Sequence, residues 1–232
     1  MNNICIVIPT YNERLNIKLL IEHILSLNIP NLAIAVIDDN SPDKTWEVVE
    51  SLSKKYKQVH LLLRKTDKGR GSAGIDGFRY ALDNSADIII EMDADFSHQP
   101  QHIPALLEAL KKTDVVVGSR FLENGTDKRK KLKRKILTVC CNFYANLILG
   151  LHLTDPNSGY RCYKRKVIET IINNLYAKGA DIVQDVIYNC RKRGFKISEI
   201  PINFQDRKLG ETTKTSKDFI AGAITCLKLR FS

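Results

Sequence analysis

The sequence lacks the cysteine spacings that typify zinc-binding and disulfide-exchange proteins. Its six cysteines contain no C-x-x-C pair, although Cys140 and Cys141 are adjacent. It also has no signal peptide, so we expect reduced thiols in a cytosolic protein. Two packed thiols are the favoured interpretation of the adjacent pair, and palmitoylation near a membrane is the alternative.

Motifs of nucleic-acid binding are absent as well. The chain carries a formal net charge of +10 but shows no helix-turn-helix pattern, zinc spacing or aromatic RNA-binding motif. Much of the charge lies in residues 128–135, KRKKLKRK, where only Leu132 is uncharged. With nucleic acid disfavoured, such a run predicts a phosphate-bearing substrate or an acidic membrane surface as the anionic partner.

Short apolar runs alternate with segments of helical spacing along the chain. The predicted strands span residues 4–8, 33–37, 59–63, 88–92 and 115–117. This alternation predicts an α/β fold, with a mostly parallel sheet and helices on both faces. Ser41 followed by Pro42 predicts the start of a helix that runs to about Tyr56. No internal repeat or low-complexity linker divides the chain, so we expect one domain over residues 1–232.

The clearest chemical signal follows the strand at 88–92. Asp93 and Asp95 stand one residue apart where that apolar run stops. In an extended chain such carboxylates point to the same side, so both can bind one hard cation, Mg²⁺ or Mn²⁺. Such a cation would also bind phosphate oxygens. The alternative is a solvated acidic turn.

Two other strands also end in polar clusters. Residues 11–13 follow the first strand and Asp38-Asp39 end the second, so the carboxyl edge of a parallel sheet would bring these oxygens together. The loop at 69–74 contains three glycines but is neither a P-loop nor a dinucleotide-binding motif. We predict a close-packing turn before a helix there, with Lys68 near phosphate.

These segments occur in a recognisable order. The ordered set comprises Pro9–Glu13, Asp38–Thr45, Met92–Pro100, Gly118–Phe121, Arg134-Lys135, Asp155–Arg161, Ile200–Phe204, Arg207 and Gly210-Glu211. Together they resemble the family-2 glycosyltransferases with the Rossmann-like GT-A fold, and within them the dolichyl-phosphate mannosyltransferases and their polyprenyl-phosphate relatives. The resemblance extends over essentially all 232 residues.

The resemblance implies an inverting, metal-dependent enzyme that moves a sugar from a nucleotide donor to the phosphate of a polyprenyl or dolichyl lipid. GDP-mannose is the expected donor, and UDP-glucose or a nucleotide-activated amino sugar is the alternative. For the acceptor, the alternative to the lipid phosphate is a sugar hydroxyl. A lipid phosphate is already anionic near neutral pH, with a second pKa of about 6, so no strong general base is required. A non-catalytic binding protein of this fold is disfavoured because Asp93 and Asp95 are both present.

Roles for individual residues are implied in the same way. The metal would be held by Asp93 and Asp95, with Ser97 at a third position. The nucleotide-sugar site would comprise Pro9, Tyr11, Glu13, Asp38, Asp39, Lys68, Ala94, Arg207 and Lys214. The acceptor phosphate would meet Arg120, Arg134 and Thr138, and Asp185 would lie near the sugar. One departure affects Lys214: relatives usually read Gly-Glu-Ser-Lys, whereas here two threonines precede the lysine.

A membrane-surface helix is predicted over about 128–151. Thr138, Asn142 and Asn146 recur every four residues in line with Arg134, which makes one polar stripe on an otherwise apolar helix. Spanning a bilayer takes about 20 apolar residues, so we expect this helix to lie on the cytoplasmic face of a membrane, its stripe toward the active site. Packing on the domain's own core is the alternative. The segment after Phe204 contains no hydrophobic stretch that predicts an appended transmembrane helix. A membrane protein that binds this chain is another way in which it could reach the lipid.

Overall fold

A computed structural model describes residues 2–129, 131–205 and 216–231 of the chain. Its centre is a seven-stranded sheet of order β3-β2-β1-β4-β7-β5-β8. The strands are β1 Ile4–Thr10, β2 Leu32–Asp38, β3 Val59–Leu63, β4 Ile88–Glu91, β5 Val115–Ser119, β7 Arg161–Lys164 and β8 Ile197–Pro201. A two-stranded ribbon pairs β6 (Thr126–Asp127) with β9 (Asn203–Phe204). The predicted mostly parallel sheet is confirmed.

One strand breaks the parallel pattern. β7 runs antiparallel to both of its neighbours, β4 and β5, whereas β1, β2, β3 and β4 pair in parallel. Residues 161–164 read RCYK, a run too short and too polar to indicate a strand in the sequence. Sequence analysis therefore missed it.

Both faces of the sheet are buried under helices. Ile6 and Ile8 of β1 enter one core with residues of α1 (Arg14–Ser26), α2 (Thr45–Lys55) and α4 (Ile103–Leu110). Cys5 and Val7 point to the opposite core. That core takes residues from α3 (Arg70–Asp83), α5 (Leu132–Leu149), α6 (Arg165–Ile171), α7 (Ile182–Lys192) and α8 (Ser216–Phe231). The alternation along β1 follows from the two-residue period of a strand and confirms helices on both faces.

The predicted start of α2 was wrong by about one turn. The helix begins at Thr45 and is preceded by Lys44 in the left-handed region, with φ 63°. The Ser41 hydroxyl does not cap this helix; it donates to Asp38 Oδ2 at 2.8 Å. Asp43 accepts the Thr45 N–H at 2.9 Å instead. The competing hydrogen bond to a buried carboxylate explains the shifted start.

The predicted glycine turn is confirmed only at Gly69, because α3 begins at Arg70 and already contains Gly71 and Gly74. Gly69 adopts a φ of 145°, a conformation that side chains disfavour. A Cβ on Gly71 would lie 2.3 Å from the Ala177 carbonyl oxygen, and the Gly71 N–H donates to Lys178 O at 2.8 Å. Gly69 and Gly71 thus pack the start of α3 closely against the loop before α7, a contact that the sequence did not indicate.

The amphipathic helix is present as α5, from Leu132 to Leu149. Its polar stripe faces the protein: Asn142 donates to Asp155 Oδ1 at 3.1 Å and Asn146 donates to Leu153 O at 2.6 Å. Its apolar side is exposed at Phe143 (69%) and Leu147 (68%). None of the helices in the described ranges is long and apolar enough to cross a bilayer.

Candidate active site

The carboxyl ends of β1, β2 and β4 open onto a cavity of about 570 Å³. This position agrees with the general rule for ligand sites in open α/β sheets. The structure brings most of the predicted site residues to its wall. They are Pro9, Tyr11, Glu13, Asp39, Lys68, Asp93, Ala94, Asp95, Ser97, Arg120 and Arg134.

Two carboxylates on the cavity wall, those of Asp39 and Glu13, are held in place by neighbouring donors. Asp39 accepts the Gly69 N–H at 2.7 Å and also pairs with Arg64. Burial raises the pKa of the Asp39 carboxyl, and the Gly69 N–H and Arg64 oppose that shift. Glu13 is 7% exposed and accepts from Asn16 Nδ2 at 2.8 Å. Fixed carboxylates of this kind are suited to hydroxyl and amine donors of a nucleoside.

Asp38 requires a correction. Its side chain is fully buried and lies behind the cavity wall rather than on it. Oδ2 accepts from the Thr10 and Ser41 hydroxyls at 2.9 and 2.8 Å, and Oδ1 accepts the Ser41 N–H at 2.8 Å. Asp38 therefore holds together the loops that follow β1 and β2. It shapes the cavity from behind and is not among the residues that line it.

Asp93 and Asp95 follow the end of β4 and both line the cavity. Asp95 Oδ1 accepts the Ser97 N–H at 3.0 Å, which folds the chain into a turn there. No group of three or more histidines, cysteines or acidic residues among the described residues could enclose a metal. A carboxylate pair nevertheless fits Mg²⁺ or Mn²⁺ when phosphate oxygens and water complete the coordination. The pair therefore suits a cation shared with a bound diphosphate.

His98 supports this turn from behind. Its Nδ1 accepts the Asp93 N–H at 3.0 Å, and its ring stacks on Tyr160 with centroids 4.9 Å apart. Burial lowers the pKa of His98, against the pull of Asp93 and Asp95. Because Nδ1 accepts a hydrogen bond, we assign the proton of the neutral ring to Nε2.

Arginines also gather on the cavity wall. Arg120 donates to Asp155 through Nε and Nη2 at 2.6 and 2.7 Å, and its guanidinium lies 5.0 Å from the Phe204 ring centre. Arg129 donates to Asp127 Oδ1 at 2.9 Å and to the Thr138 hydroxyl at 3.0 Å. This concentration of cations is suited to a phosphate.

A second cavity, of about 320 Å³, adjoins the first. Arg120, Arg129 and Ala180 line both. It lies between α5, α7 and α8, and its wall includes apolar and small side chains such as Phe219 and Ala223. Thr138, which was predicted to contact the acceptor phosphate, lines this second cavity but not the first. Its hydroxyl accepts a hydrogen bond from Arg129, which lines both cavities.

The expected position of Asp185 near the sugar was wrong. Its side chain is fully buried in α7, and Oδ2 accepts the N–H groups of Tyr176 and Ala177 at 2.8 and 3.0 Å. Oδ1 accepts from Asn189 Nδ2 at 2.8 Å. Asp185 thus anchors the loop that reaches the cavity at Gly179 and Ala180. The sequence shows only an acidic residue within a helical pattern, and that pattern does not indicate that its side chain anchors a loop.

Among the charged residues that line the larger cavity, sequence analysis missed two. Arg70 lines the cavity and contacts Asp93 at 3.1 Å, and Arg129 lines both cavities. Arg70 is the charged residue within the glycine loop, which was the available signal. Arg129 could not be told from its neighbours in the basic run. Arg207 and Lys214 lie outside the described residues.

Comparisons with known proteins find relatives over most of this chain. Residues 5–172 match the family described as Glycosyl transferase family 2. The undecaprenyl-phosphate mannosyltransferase of Micrococcus luteus is 36% identical over 219 residues, 94% of this chain and 89% of that protein. The polyprenol monophosphomannose synthase of Mycolicibacterium smegmatis is 35% identical, over 88% of this chain and 78% of its own length. The dolichol-phosphate mannosyltransferase of Pyrococcus furiosus is 34% identical over 92% of this chain, which spans 60% of that protein.

Solved structures resemble the chain in fold. Glucosyl-3-phosphoglycerate synthase from Mycobacterium tuberculosis, in complex with Mn²⁺, UDP and phosphoglyceric acid, superposes with a TM-score of 0.71 at 19% identity. The match covers 98% of this chain and 77% of that one. A complex of the same enzyme with Mg²⁺ and UDP gives a TM-score of 0.69 at 17% identity, over 98% of this chain and 78% of that one.

Proposed function

The chain belongs to glycosyl transferase family 2, and from that premise we propose that it transfers mannose from GDP-mannose to the phosphate of a polyprenyl lipid, with inversion at the anomeric carbon. The names of the three relatives support the mannosyl group and the lipid phosphate. The nucleotide is our own inference, since the similar solved structures hold UDP at below 20% identity.

The observation that carries the proposal is the junction of the two cavities. The larger cavity has the Asp93 and Asp95 carboxylates on its wall, as a donor diphosphate and its cation require. The smaller cavity meets it at Arg120 and Arg129. An acceptor phosphate at this junction would face the donor sugar while its lipid entered the smaller cavity. Positioning two reactants in this way is a large part of catalysis in group transfer.

The chain's residues would divide the chemistry as follows. Asp93 and Asp95 would hold Mg²⁺ or Mn²⁺ with Ser97 beside them, and the bound cation would supply Lewis-acid stabilisation of the departing nucleoside diphosphate. Arg120, Arg129 and Arg134 would orient the acceptor phosphate, which needs no general base because it is already an anion. This assignment is consistent with the burial of Asp185, which leaves that carboxylate away from the cavity.

The lipid is expected to come from a membrane surface on which the protein lies. α5 and α8 pack together, with the Tyr144 hydroxyl donating to Ala223 O at 3.2 Å. They expose a joint apolar face, which includes Ile136, Phe143, Leu147, Ile220, Ile224 and Phe231. In the sequence, the basic run at 128–135 overlaps the start of α5, and its cations would attract an acidic leaflet. We place this surface on the cytoplasmic side, where nucleotide sugars are the available donors.

A radiolabelled transfer assay tests the function. The protein is incubated with Mn²⁺, a polyprenyl phosphate and labelled GDP-mannose, and the mixture is extracted into organic solvent. We expect label in the organic phase with GDP-mannose and much less with UDP-glucose. Asp93→Asn should abolish it, whereas Asp83→Asn, the same change at the exposed end of α3, should not. Label that reaches the organic phase from UDP-glucose alone would overturn the donor assignment, and label that stays aqueous with every donor would overturn the lipid acceptor.

A further inference from the structure

The guanidinium of Arg70 lies between two carboxylates on the wall of the larger cavity. Nη1 donates to Glu91 Oε1 at 2.7 Å and Nη2 donates to Asp93 Oδ1 at 3.1 Å. Arg70 is the first residue of α3, directly after Gly69. The close-packed glycine turn therefore decides where this guanidinium sits.

Several contacts hold Arg70 in this place. Glu91 is 1% exposed and also accepts from the Tyr163 hydroxyl at 3.4 Å, so the carboxylate behind Arg70 is itself fixed. On the other side, a Cβ on Gly159 would lie 2.9 Å from Arg70 Nη2. Space for the guanidinium thus depends on a glycine, Gly159, that lies far away in the sequence.

This arrangement bears directly on the candidate metal ligand Asp93. A guanidinium stays charged across the whole working pH range. Here it donates a hydrogen bond to one oxygen of Asp93 and places a positive charge beside the position that a divalent cation would take. A cation that enters alone meets a like charge. A cation that enters with a diphosphate brings negative charge, which offsets that repulsion and offers Arg70 another anionic partner.

We propose that Arg70 is a positioning residue that makes metal binding dependent on the donor: it occupies Asp93 in the free protein and yields that carboxylate when cation and diphosphate arrive together. The proposal rests on the proposed function, since it assumes a diphosphate-bearing donor. If Arg70 served only as a structural partner of Glu91, the consequence would differ. Replacing Arg70 would then weaken the site without raising its affinity for the metal alone.

Mn²⁺ binding measured by electron paramagnetic resonance separates these roles without relying on activity. Binding is measured with and without saturating GDP, and with UDP in parallel, for the wild type and for Arg70→Gln. Since Arg70→Gln leaves the buried Glu91 without its charged partner, a second variant combines it with Glu91→Gln. Gly159→Ala supplies a third, because it displaces the guanidinium without deleting any charge. Asp93→Asn shows that the signal reports this site.

For the wild type we expect Mn²⁺ to bind at least about tenfold more tightly with the nucleotide than alone. In Arg70→Gln and in the double variant, Mn²⁺ alone should bind at least about tenfold more tightly than to the wild type, and the nucleotide should add little. Gly159→Ala should change in the same direction by a smaller factor. Arg70→Lys, which keeps the charge but not the two-pronged contact, should retain part of the dependence on nucleotide.

The outcomes distinguish this proposal from the proposed function. If the wild type shows the nucleotide effect and the Arg70 variants bind Mn²⁺ alone no better than it does, Arg70 is only structural and the inference fails by itself. If the wild type binds no Mn²⁺ with either nucleotide, the metal-dependent donor site fails, and the role of Arg70 fails with it.

Discussion

Asp155 accepts two parallel hydrogen bonds from Arg120, at 2.6 Å from Nε and 2.7 Å from Nη2. Asp155 is fully buried and Arg120 is 8% exposed. The Arg120 N–H also donates to Asp155 Oδ2, at 3.1 Å. The motif at 155–161 therefore fixes an arginine that lies 35 positions earlier, at the point where the two cavities meet.

Asp155→Asn should reduce the efficiency with which the acceptor is used. A charge-assisted hydrogen bond contributes about 1.5–3 kcal/mol, so a misplaced Arg120 should lower acceptor kcat/KM roughly 10- to 100-fold. Breaking a buried pair also lowers the free energy of unfolding, by about 3–5 kcal/mol. Acceptor titrations and denaturant unfolding measure the two effects.

Arg120→Lys separates orientation from charge. Lysine keeps a cation beside Asp155 but not the planar fork, so acceptor efficiency should fall while most of the stability remains. Wild-type acceptor kinetics in both variants would show that Arg120 does not orient the phosphate.

Replacing either candidate metal ligand should nearly abolish turnover. Asp93→Asn and Asp95→Asn each remove a charged oxygen from the cation site, so we expect folded proteins whose turnover is lower by orders of magnitude. Chelation should inactivate the wild type, and added Mg²⁺ or Mn²⁺ should restore it. Asp83→Asn again serves as the matched control. Full activity after dialysis against excess chelator would contradict the metal assignment.

Arg134→Ala should affect the acceptor more than the donor. Arg134 lies in the first turn of α5 and lines the larger cavity on its basic side. Loss of one charged contact to phosphate predicts a 10- to 100-fold lower acceptor efficiency, by the magnitude of about 1.5–3 kcal/mol. Lys133→Ala, at the exposed neighbouring position, should stay near wild type. Equal losses in donor and acceptor binding would remove Arg134 from the acceptor side.

Acid should loosen the ribbon that carries Phe204. His102 Nε2 accepts the Asn203 N–H of β9 at 3.0 Å, which a protonated ring cannot do. Burial lowers the pKa of His102 in the folded protein. In the unfolded protein the pKa of His102 is about 6.5. Near and below that pH the unfolded state therefore binds more protons than the folded state does, and stability is lost as the pH falls from about 7.5 to 5.5.

The matching variant is His102→Gln, which can accept the same N–H but does not titrate. Its midpoint of thermal unfolding should depend less on pH over that range than the wild-type midpoint does. His152→Gln, in an exposed loop, controls for the substitution itself. An unchanged slope in His102→Gln would assign the pH dependence to other groups.

The sequence predicts β1 to β5 and most of the cavity wall because both depend on local pattern, whereas β8, which pairs in parallel with β5, was missed. An apolar run such as 88–92 identifies its own strand, and the carboxyl ends of parallel strands necessarily share an edge. Long-range partners carry no such signal. The antiparallel β7 and the Asp155–Arg120 pair both depend on contacts between distant segments.

α8 was missed for a different reason. Its apolar residues at Ile220, Ile224 and Phe231 follow helical spacing, but the segment after Phe204 was judged only by whether it could span a membrane. Amphipathic helices that lie on a surface fail that criterion by their nature. The structure places α8 beside α5 and so enlarges the apolar face predicted from α5 alone.

Binding to acidic liposomes should have two separable parts. The basic residues at 128–135 supply attraction of about 1 kcal/mol each, which fades within a Debye length, so part of the binding should weaken as salt rises. The apolar face of α5 and α8 should supply a part that persists at high salt. Sedimentation with vesicles over a range of salt concentrations measures both.

Two sets of substitutions test which residues supply the salt-dependent and the salt-resistant part of the binding. Replacing Lys128, Lys131, Lys133 and Lys135 by Gln leaves Arg129 and Arg134 at the site, so the low-salt binding should fall while turnover of a short, water-soluble acceptor phosphate is kept. Replacing the exposed Ile220, Ile224 and Phe231 of α8 by Ser should weaken the salt-resistant part and leave the salt-dependent part unchanged. If the lysine variant sediments as the wild type does at every salt concentration, the basic run is only a solvated surface. The apolar face or a membrane-protein partner must then bring the enzyme to its lipid.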